Sequence, residues 1–498
     1  MSMPAMEMNR TPTVAGLLKG LADAPQLDVQ GIASDSRQLQ GGYLFLACQG
    51  IGSHGLDYLR DAVAAGACAV AWDSSSAEVP VDAGVPTIAV HDLASHLGEI
   101  ANRFYGTPSE ALNTIGVTGT NGKTTVAWLL AQCLQHLGER CGYIGTLGYG
   151  IGTLDGDEGM TTPAAIELHG RLAEFVDAGA SAAALEVSSH ALSQRRVDGV
   201  RFHAALFTNL TRDHLDYHGD MQSYFESKAS LFLDYDATHK IVNVDSEYGA
   251  KIASLCGDEL VSVSTFGNED VASSTFVNAR SVVANESRSD IAVGSSWGDA
   301  SFSLSLPGKF NVENALLVLG YLLAHGIGIE KACDVLELVD APAGRLQRVA
   351  GLDTAVYIDY AHTPDAIESA LNALRPHCSG QLWCLFGCGG DRDVGKRPLM
   401  AAVAERLADK IVVTTDNPRS EDPQSIIADI ADGFENHSVA TVIEDRAAAI
   451  AWTVANAAPS DVVLIAGKGH ESYQDVDGER HAFSDYTLAA ANSKEGVR

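Results

Sequence analysis

The sequence has few of the features that mark membrane, secreted or metal-scaffold proteins. Its longest apolar stretch, ALLVLGYLLA at 315–324, is shorter than the roughly 20 residues of a membrane-spanning helix, so we expect a buried helix there. The segment MSMPAMEMNR at 1–10 lacks the apolar stretch of a secretion signal. The nine cysteines lack the paired spacing of metal ligands, and the closest two, Cys384 and Cys388, are expected to be buried, reduced thiols. These absences predict a cytoplasmic protein without membrane insertion.

Basic residues are scarce as well. The 33 Lys and Arg stand against 64 Asp and Glu, which gives a formal net charge of −31. Such a field repels nucleic acid and anionic membranes, so neither is expected as a partner. A few local cations and helix N-termini still capture small anionic substrates. With 46% hydrophobic and 19% charged residues, the 498-residue chain is typical of folded globular proteins, and its length predicts about two to four domains.

The chain divides into three regions at 1–108, 109–340 and 341–498, with GTPSEALN as a linker between the first two. The third region alternates apolar strand patterns with helical patterns that start near Pro364, Lys396, Pro423 and Arg446. Its strand candidates are AVYIDYA (355–361), LWCLFGCG (382–389), KIVVTTD (410–416), ATVIED (440–445) and DVVLIAG (461–467). This alternation predicts an α/β fold with a parallel sheet. Ligands of such sheets bind beyond the carboxyl ends of the strands, where DYAHTPD, GCGGDRD, DNPRSED and GKGHE lie.

The central region contains a candidate phosphate loop, GTNGKTT at 119–125, between the strand pattern TIGVT and a helical pattern. Its backbone N–H groups would face the phosphates, Lys123 would supply a point charge and the Thr124 hydroxyl would ligate Mg²⁺. The first glycine of the usual pattern falls at Val117, so a Gly/Thr-rich turn before a helix is the alternative. The apolar face of the helix is predicted to consist of Val126, Leu129, Leu130, Cys133, Leu134 and Leu137, with Gly138 ending it.

Two further groups are open to two interpretations each, and Lys228 has one. Glu186, at the end of the strand pattern SAAALEVSSH, would hold Mg²⁺ directly or through water, or would simply be solvated. The Asp213, His214, Asp216 and His218 side chains form either a transition-metal site or a hydrogen-bonded surface loop. Lys228 is, on composition alone, a solvated helix lysine.

Eight motifs in this order, over almost the full chain, resemble the Mur ligase family: GTNGKTT, EVSSH, TNLTRDHLDYHG, GKFNVENA, DYAHTPDA, GCGGDRD, DNPR and GKGHE. The resemblance implies an N-terminal uridine-nucleotide domain at 1–108, a central ATPase domain at 109–340 and a Rossmann-like amino-acid domain at 341–498. It implies ligation of meso-2,6-diaminopimelate to the D-glutamate γ-carboxyl of UDP-N-acetylmuramoyl-L-alanyl-D-glutamate, driven by ATP with Mg²⁺ through an acyl phosphate. The product is a peptidoglycan precursor, and we expect the enzyme to be a monomer.

The resemblance also implies the site residues. The catalytic group is Lys123, Glu186, His214 and Lys228. The Mg²⁺ ligands are Thr124, Glu186, His214 and Lys228, the last carbamylated to N6-carboxylysine. ATP is bound by Gly119, Thr120, Asn121, Gly122, Lys123, Thr124, Thr125, Asn314, Arg345, Asp359 and His362. The uridine-nucleotide substrate is bound by Ser34, Ser36, Ile51, Gly52, Ser53, Thr161, Thr162, Ser188, Gln194 and Arg196. Diaminopimelate is bound by Arg392, Asp416, Asn417, Pro418, Arg419, Gly467 and Glu471.

Two of these assignments have a physical basis beyond the resemblance. An ammonium repels Mg²⁺, whereas a carbamate on Lys228 would be a hard anionic oxygen ligand. Diaminopimelate differs from lysine by one carboxylate, and the planar fork of Arg419 is suited to bind a carboxylate through two N–H groups. Taken alone, DNPR at 416–419 would also fit an Asn-Pro turn after a strand.

Other functions remain as alternatives. The nearest is another ligase of the same superfamily, such as folylpolyglutamate synthase or a neighbouring Mur ligase. A guanine-nucleotide switch would need an Asn-Lys-x-Asp-like segment, which the sequence after the phosphate loop lacks. A dinucleotide dehydrogenase is disfavoured because GYGIG at 148–152 is only a fragment of the required fingerprint and opens no helical pattern.

Overall fold

The computed structural model describes residues 11–50, 52–78, 83–155, 160–265, 274–436 and 438–492. They form two compact units. The first contains described residues of Met1–Gly119, Glu139–Leu206 and Arg212–Lys240, and the second those of Thr120–Gly138, Phe207–Thr211 and Ile241–Arg498. No helix among the described residues is both long and apolar enough to cross a bilayer.

Helices and strands alternate along most of the chain. The helices are α1 Val14–Leu17, α2 Leu59–Ala64, α3 Leu97–Phe104, α4 Lys123–His136, α5 Ala165–Asp177, α6 Ser189–Ser193, α7 Leu215–His218, α8 Met221–Leu233, α9 Glu247–Cys256, α10 Lys309–Ala324, α11 Ile329–Leu336, α12 Pro364–Leu374, α13 Lys396–Leu407, α14 Pro423–Ala431, α15 Arg446–Asn456 and α16 Asp485–Ala491. The strands are β1 Gly31–Ala33, β2 Tyr43–Ala47, β3 Ala69–Asp73, β4 Thr87–Val90, β5 Asn113–Thr118, β6 Cys141–Gly145, β7 Gly148–Ile151, β8 Thr153–Asp155, β9 Ala182–Glu186, β10 Ala204–Phe207, β11 His239–Asn243, β12 Val261–Ser264, β13 Thr275–Ala284, β14 Ser289–Ser295, β15 Gly298–Leu304, β16 Gln347–Arg348, β17 Ala355–Asp359, β18 Leu382–Phe386, β19 Lys410–Val413, β20 Ala440–Val442, β21 Val462–Ala466, β22 Tyr473–Val476 and β23 Glu479–Ala482. This α/β alternation agrees with the predicted fold class.

The first unit contains two groups of strands. Strands β1 to β4 form a parallel sheet in sequence order. The second group has the order β10-β5-β9-β6-β7-β8, in which β5, β9 and β6 are parallel and β7 turns back against β6. GYGIG lies largely in β7 and begins no helix, as predicted. Because parallel strands share one carboxyl edge, the segments that follow β5 and β9 leave the same side of this sheet.

The second unit begins its regular structure with α4. The predicted helix is confirmed: it starts at Lys123 and buries five of its six predicted apolar positions, whereas Leu137 caps its end and is half-buried. Gly138 follows, and its φ of +86° suits a helix end. The apolar stretch at 315–324 lies in α10, whose residues from Ala315 to Leu323 are buried. Strands β11 to β13 pair in parallel, and β13 to β15 form an antiparallel meander.

The C-terminal part of the second unit is a sheet of order β16-β17-β21-β18-β19-β20. Strands β17, β21, β18, β19 and β20 pair in parallel, and only β16 at one edge is antiparallel. The four predicted helix starts and five predicted strands of this region are confirmed. Helices α12, α13 and α14 pack on one face of the sheet and α15 and α16 on the other. Alternate residues of β18 face the two layers, Trp383 and Leu385 on the α15 side and Cys384 and Phe386 on the other.

Cys384 and Cys388 are confirmed as buried thiols. Burial raises the pKa of each thiol to about 12. Cys388 Sγ lies 3.6 Å from Met400 Sδ, inside the helix layer. Both cysteines therefore serve as core residues.

Candidate active site

In the first unit, the Glu186 carboxylate lies fully buried at the end of β9. Its Oε1 accepts hydrogen bonds from Tyr143 Oη at 2.5 Å and from Thr146 N at 2.9 Å. Thr161 joins the same group, with its Oγ1 3.3 Å from Thr146 Oγ1. A Cβ at Gly145 would lie 2.1 Å from Glu186 Oε1, so this position requires glycine. The alternative of a solvated strand-end glutamate is wrong, and the surrounding oxygen atoms are of the type that Mg²⁺ prefers.

Thr162 ties the segment before α5 to the start of α6. Its hydroxyl donates to Glu186 O at 2.8 Å and accepts from Ser188 N at 3.0 Å. Arg196 donates to Thr162 O at 3.0 Å and binds Gln194 Oε1 through two nitrogen atoms, at 2.6 and 3.1 Å. Burial lowers the pKa of Arg196. The five residues predicted to hold the muramoyl-dipeptide portion, Thr161 included, therefore lie in one connected network beside Glu186.

Lys228 is buried in α8, with 2% of its surface exposed, so the interpretation as a solvated lysine is wrong. Its Nζ donates to Gly119 O at 2.7 Å and lies 4.8 Å from the centre of the Tyr224 ring. Gly119 opens the phosphate loop, so Lys228 contacts that loop directly. His214 lies half exposed before α7 in a left-handed conformation (φ +51°), and its N–H donates to Asp213 Oδ1 at 2.8 Å.

A cluster of imidazole rings surrounds His214. The ring of His190 lies 4.9 Å from that of His214 and 5.6 Å from that of His218. His218 Nε2 lies within hydrogen-bond distance of Ser189 Oγ, at 2.9 Å. Burial is the main cause that lowers the pKa of His190 and His218. Positive charge on the neighbouring histidines and on Lys228 lowers both pKa values further. Within the described ranges, no three His, Cys, Asp or Glu side chains are grouped as metal ligands.

In the second unit, the phosphate loop is held by the segment 207–211. Asn209 accepts the Thr120 N–H through its backbone oxygen at 2.8 Å and the Asn121 N–H through its side chain at 3.0 Å. Thr208 Oγ1 donates to Asn121 O at 2.6 Å. Lys123 Nζ donates to Thr120 O at 2.9 Å, so the ammonium lies over its own loop. Helix α4 begins at Lys123, inside the motif at 119–125, without a side-chain cap, the setting in which a helix N-terminus binds phosphate.

Gly122 and Asn314 meet at the end of the loop. Gly122 has a φ of +87°, and a Cβ there would lie 2.6 Å from Asn314 Oδ1, so glycine is required. Asn314 is buried in α10 and donates to Asn311 Oδ1 at 3.2 Å. Thr124 and Thr125 are buried in the first turn of α4. The structure therefore brings Asn314 to the predicted ATP loop.

Arg345, Asp359 and His362 form a second group in this unit, at the end of β17. Both Asp359 carboxylate oxygens accept backbone N–H groups, at 2.7 and 2.8 Å, and burial raises the pKa of this carboxyl. Arg345 Cζ lies 5.2 Å from the Tyr360 ring centre, and its Nε is buried without a partner among the described residues. His362 Nδ1 lies 2.8 Å from Tyr360 O. Two of the three predicted ATP residues, Arg345 and His362, thus lie beside the Tyr360 ring, whose centre is 4.7 Å from that of His362.

The predicted amino-acid site lies at the carboxyl ends of β19 and β21. Lys468 has no exposed surface, and its Nζ donates to Asn417 Oδ1 and Glu471 Oε2, each at 2.9 Å. Asn417 Nδ2 donates to the same Glu471 Oε2 at 2.8 Å, while Asn417 Oδ1 also accepts the Asp475 N–H at 3.0 Å. These contacts fix the Asn417 amide and saturate one oxygen of Glu471. The other oxygen, Oε1, has no hydrogen bond to a described residue and can accept an ammonium group of a ligand.

Arg419 joins the 416–419 loop to the loop after β18. Its Nη1 donates to Gly390 O at 2.7 Å, and Gly390 N donates to Asn417 O at 2.9 Å. Its other guanidinium nitrogens make no hydrogen bond to the described residues. A Cβ at Gly389 would lie 2.9 Å from Arg419 Nη1 and 3.8 Å from Arg392 Cγ, so both arginines lie next to this glycine. A Cβ at Gly390 would lie 2.0 Å from Pro418 O, so the Pro418 carbonyl packs directly against this glycine.

The predicted uridine residues lie at one edge of the N-terminal sheet. Ser34 and Ser36 follow β1, and Gly52 and Ser53 follow β2, so both pairs leave the carboxyl ends of neighbouring parallel strands. Ser53 Oγ lies 3.3 Å from Tyr58 Oη. Ile51 lies outside the described residues.

Several side chains of these groups were not predicted from the sequence. Tyr143 and Thr146 bind Glu186 from β6 and the turn after it, far from any motif in the sequence. Asn209 and Lys468 lie inside the motifs TNLTRDHLDYHG and GKGHE, so the motif boundaries already pointed to them.

The chain matches three descriptions of one family. Residues 28–105 match "Mur ligase family, catalytic domain", 117–322 match "Mur ligase middle domain", and 344–469 match "Mur ligase, glutamate ligase domain". Together the three segments cover most of the chain. The chain belongs to the Mur ligase family.

Curated relatives of this Mur ligase are similar over nearly their full length. A protein of Pseudomonas aeruginosa named UDP-N-acetylmuramoyl-L-alanyl-D-glutamate–2,6-diaminopimelate ligase is 47% identical over 464 residues, or 93% of this chain and 94% of the relative. A protein of the same name from Xylella fastidiosa is 44% identical over 505 residues, or 99% of this chain and 100% of the relative.

Solved structures are similar as well. One titled with the same ligase name has a TM-score of 0.75 and 31% identity, covering 98% of this chain and 100% of that chain. The folylpolyglutamate synthase of Mycobacterium tuberculosis, complexed with ADP and AMPPCP, has a TM-score of 0.60 at 18% identity, covering 81% of this chain and 96% of that one. The second likeness shows a shared fold alone.

Gly467 gives a direct test of the amino-acid site's packing. Its φ is +117°, and a Cβ there would lie 2.4 Å from Asp416 Oδ2, whereas Gly478 (φ +81°) has open space. Both Gly→Ala changes carry backbone strain of about 1 kcal/mol, but only Gly467→Ala adds a clash. We expect Gly467→Ala to lower the free energy of unfolding by about 2 kcal/mol more than Gly478→Ala. Denaturant unfolding of both variants measures this difference, and equal losses would contradict the packing described.

Proposed function

We propose that this Mur ligase joins meso-2,6-diaminopimelate to the γ-carboxyl of D-glutamate in UDP-N-acetylmuramoyl-L-alanyl-D-glutamate. ATP is cleaved to ADP and phosphate, and the product is a precursor of peptidoglycan. The observation that carries the proposal is that relatives with this ligase name are 44–47% identical over 93–99% of the chain. The buried group of Lys468, Asn417 and Glu471 lies in the same loops as Arg419, and it supports diaminopimelate as the amino acid.

The first chemical step activates a poor electrophile. A γ-carboxylate oxygen of D-glutamate attacks the γ-phosphorus of ATP, the bond from that phosphorus to the bridging oxygen breaks, and ADP leaves. The acyl phosphate so formed keeps the energy of the triphosphate in a mixed anhydride. Lys123 and the backbone N–H groups at the start of α4 would stabilise the charge on the transferred group.

The second step forms the amide. The amine nitrogen of diaminopimelate attacks the acyl carbon, the carbon–oxygen bond to phosphate breaks, and the nitrogen loses a proton. No covalent bond to the protein is needed, so the chain contributes mainly by positioning the reactants and stabilising charge. Glu471 Oε1 would hold a substrate ammonium, and Asp416 would border the same site.

Mg²⁺ is the metal we propose, with Thr124, Glu186, His214 and carbamylated Lys228 as ligands. The buried Glu186 carboxylate, with hydroxyl oxygens around it, supports this choice of a hard cation. A carbamate on Lys228 would retain an N–H for Gly119 O while offering anionic oxygens. When bound, Mg²⁺ offsets negative charge on the phosphates.

The remaining predicted residues have proposed roles in substrate binding. Asn314, Arg345, Asp359 and His362 would contact ATP together with the loop at 119–125. Thr161, Thr162, Ser188, Gln194 and Arg196 would hold the muramoyl dipeptide, and Arg196 is already fixed by two partners. Ser34, Ser36, Ile51, Gly52 and Ser53 would bind the uridine portion.

The acceptor site explains how diaminopimelate would be preferred to lysine. The extra carboxylate of diaminopimelate would pair with the nitrogens of Arg419 that Gly390 O does not use. Lysine would leave that guanidinium without a partner, at a cost of several kcal/mol in the transition state. Arg392, exposed and also next to Gly389, would add positive charge.

The division into domains at 1–108, 109–340 and 341–498 also forms part of the proposal. Each of the three family matches lies inside one of these ranges, which supports the division. A cytoplasmic location follows from the need for ATP and a nucleotide-linked substrate. The monomeric state stays a prediction from the sequence.

The proposal is tested by product formation. The purified chain is incubated with UDP-N-acetylmuramoyl-L-alanyl-D-glutamate, ATP, Mg²⁺ and either diaminopimelate or lysine, and the products are measured by mass. We expect the tripeptide conjugate and stoichiometric ADP with diaminopimelate, and far less with lysine. Folded enzyme that yields no conjugate, or that releases ADP equally without any amino acid, would overturn the proposal in favour of another nucleotide-dependent function.

The carbamate is tested by substitution at Lys228. Lys228→Ala should lose most activity, because the proposed anionic ligand is removed, and short carboxylates such as formate or acetate should restore part of it. Lys228→Arg is the control, since it keeps a cation that cannot be carbamylated, and it should be inactive as well. Ligase rates with and without added carboxylate give the result. Full activity of either variant would exclude the carbamate.

The acceptor role of Arg419 is tested by Arg419→Ala. Removal of the carboxylate-binding fork should lower kcat/KM for diaminopimelate by about 10³-fold, while KM for ATP stays nearly unchanged. Arg406→Ala, which breaks an exposed ion pair between Arg406 of α13 and Glu368 of α12, is the control and should have no effect. An undiminished preference for diaminopimelate over lysine in Arg419→Ala would contradict the assignment.

A further inference from the structure

A fully buried ion pair contacts the residues that precede the two loops of the proposed acceptor site. Arg446, the first residue of α15, and Asp485, the first residue of α16, both have side chains without exposed surface. The contact is bidentate, with Nε 2.8 Å from Oδ1 and Nη2 2.7 Å from Oδ2. Burial opposes the charge on the guanidinium, yet its pKa is raised because Asp485 and then the more distant Asp416 and Glu471 stabilise the cation.

The same guanidinium binds the two strand ends from which the acceptor loops begin. Nη1 donates to Thr415 O at 3.1 Å, and Nη2 donates to Ala466 O at 2.9 Å. Thr415 directly precedes the loop at 416–419, and Ala466 directly precedes the loop at 467–471. Arg446 therefore holds the first peptide of each acceptor loop by a hydrogen bond.

The sheet order explains why a side chain is needed there. Strands β19 and β21 are not neighbours, because β18 lies between them. β18 ends at Phe386, and its registered pairs with β19 and β21 end at Val413 and Ile465, so the strand pairing of the described residues does not join Thr415 to Ala466. The planar fork of Arg446 spans this gap with donors in a fixed geometry, which a flexible ammonium would not reproduce.

Asp485 provides the other half of the arrangement. It lies in the first turn of α16, where the helix dipole favours a carboxylate, and the Ser484 side chain caps the helix by accepting Thr487 N–H at 3.2 Å. Its two oxygens match two guanidinium nitrogens, so the orientation of the fork is set by the position of α16. The last described helix of the chain is thereby connected to the acceptor site.

We infer that Arg446 is a positioning residue for the amino-acid substrate, held in its orientation by Asp485. It acts through the loops at 416–419 and 467–471, which carry Arg419 and Glu471, and touches no substrate itself. The inference rests on the proposed function, since these loops are taken to bind diaminopimelate. If the loops lose their common support, diaminopimelate is bound less tightly in the ground and transition states alike, so KM for this substrate rises while kcat changes little.

Two variants separate positioning from folding. Arg446→Lys keeps the positive charge but not the fork, so it cannot bind Asp485 and both carbonyl groups in the observed geometry. Arg446→Met combined with Asp485→Leu removes both charges, and such neutral replacements of buried ion pairs are often as stable as the pair. We expect both variants to fold and to raise KM for diaminopimelate by about tenfold or more. KM for ATP and kcat at saturating diaminopimelate should stay within about twofold of the unchanged enzyme.

The matched control is an ion pair at the opposite edge of the same sheet. Arg375 binds Asp409 Oδ2 and Leu407 O, each at 2.7 Å, and Asp409 accepts Leu382 N–H at 2.8 Å. Arg375→Met combined with Asp409→Asn therefore removes an ion pair and a link to a backbone carbonyl far from the acceptor loops. This double variant should leave KM for diaminopimelate unchanged.

Measurements of thermal unfolding and of the three kinetic constants decide the outcome. Folded Arg446 variants with an unchanged KM for diaminopimelate would overturn the inference, as would an equal rise of KM for ATP. Loss of the fold in both Arg446 variants would overturn it too, because the pair would then be required for folding rather than for positioning. A failure of the unchanged enzyme to form the tripeptide would instead refute the proposed function.

Discussion

The ammonium of Lys468 is fully buried, and the acceptor site depends on how that charge is satisfied. A buried cation without partners is strongly unfavourable, so its N–H groups must meet oxygens inside the protein. They meet Asn417 Oδ1 and Glu471 Oε2, and these contacts in turn decide which way the Asn417 amide and the Glu471 carboxylate face. The loops at 416–419 and 467–471 are therefore fixed against each other before any substrate binds, which reduces the entropy that binding would otherwise cost.

The strongly negative chain reacts with substrates that are themselves anions. A net charge of −31 disfavours the approach of a nucleotide at long range. Short-range groups offset this, because the interaction of a phosphate or carboxylate with one well-placed N–H donor or cation exceeds a screened surface field. Candidate groups of this kind lie at strand and helix ends: Lys123 at the start of α4, Arg196 after α6, and Arg392 and Arg419 in loops of the C-terminal sheet.

Much of the C-terminal fold was predictable from the sequence, because parallel strands buried on both faces read as continuous apolar runs. The five strands and four helix starts were found in this way. Burial of polar groups was harder to predict. Lys228 lies in a pattern typical of a solvated helix, and only the fold shows that its ammonium reaches Gly119 O, 109 residues earlier in the chain. Tyr143 carries no motif, since its role depends on the pairing of β6 with β9 beside Glu186. Contacts of this kind are set by sheet order, which local spacing does not contain.

Two residues of the candidate site have a strained backbone that the surrounding structure holds in place. His214 and Arg419 adopt left-handed conformations, with φ of +51° and +50°, although neither is glycine. Such a residue costs about 1–2 kcal/mol and persists only where its surroundings fix it. Arg419 is fixed on both sides, because its N–H donates to Asp475 O at 3.0 Å and its carbonyl accepts Asp477 N–H at 2.8 Å. The hairpin of β22 and β23 therefore supplies the energy that keeps the Arg419 backbone in this conformation, which sets the direction in which the guanidinium leaves the loop. If Arg419 binds the amino acid as proposed, a change in that hairpin would act on amino-acid choice through the backbone of Arg419, without any contact to the substrate.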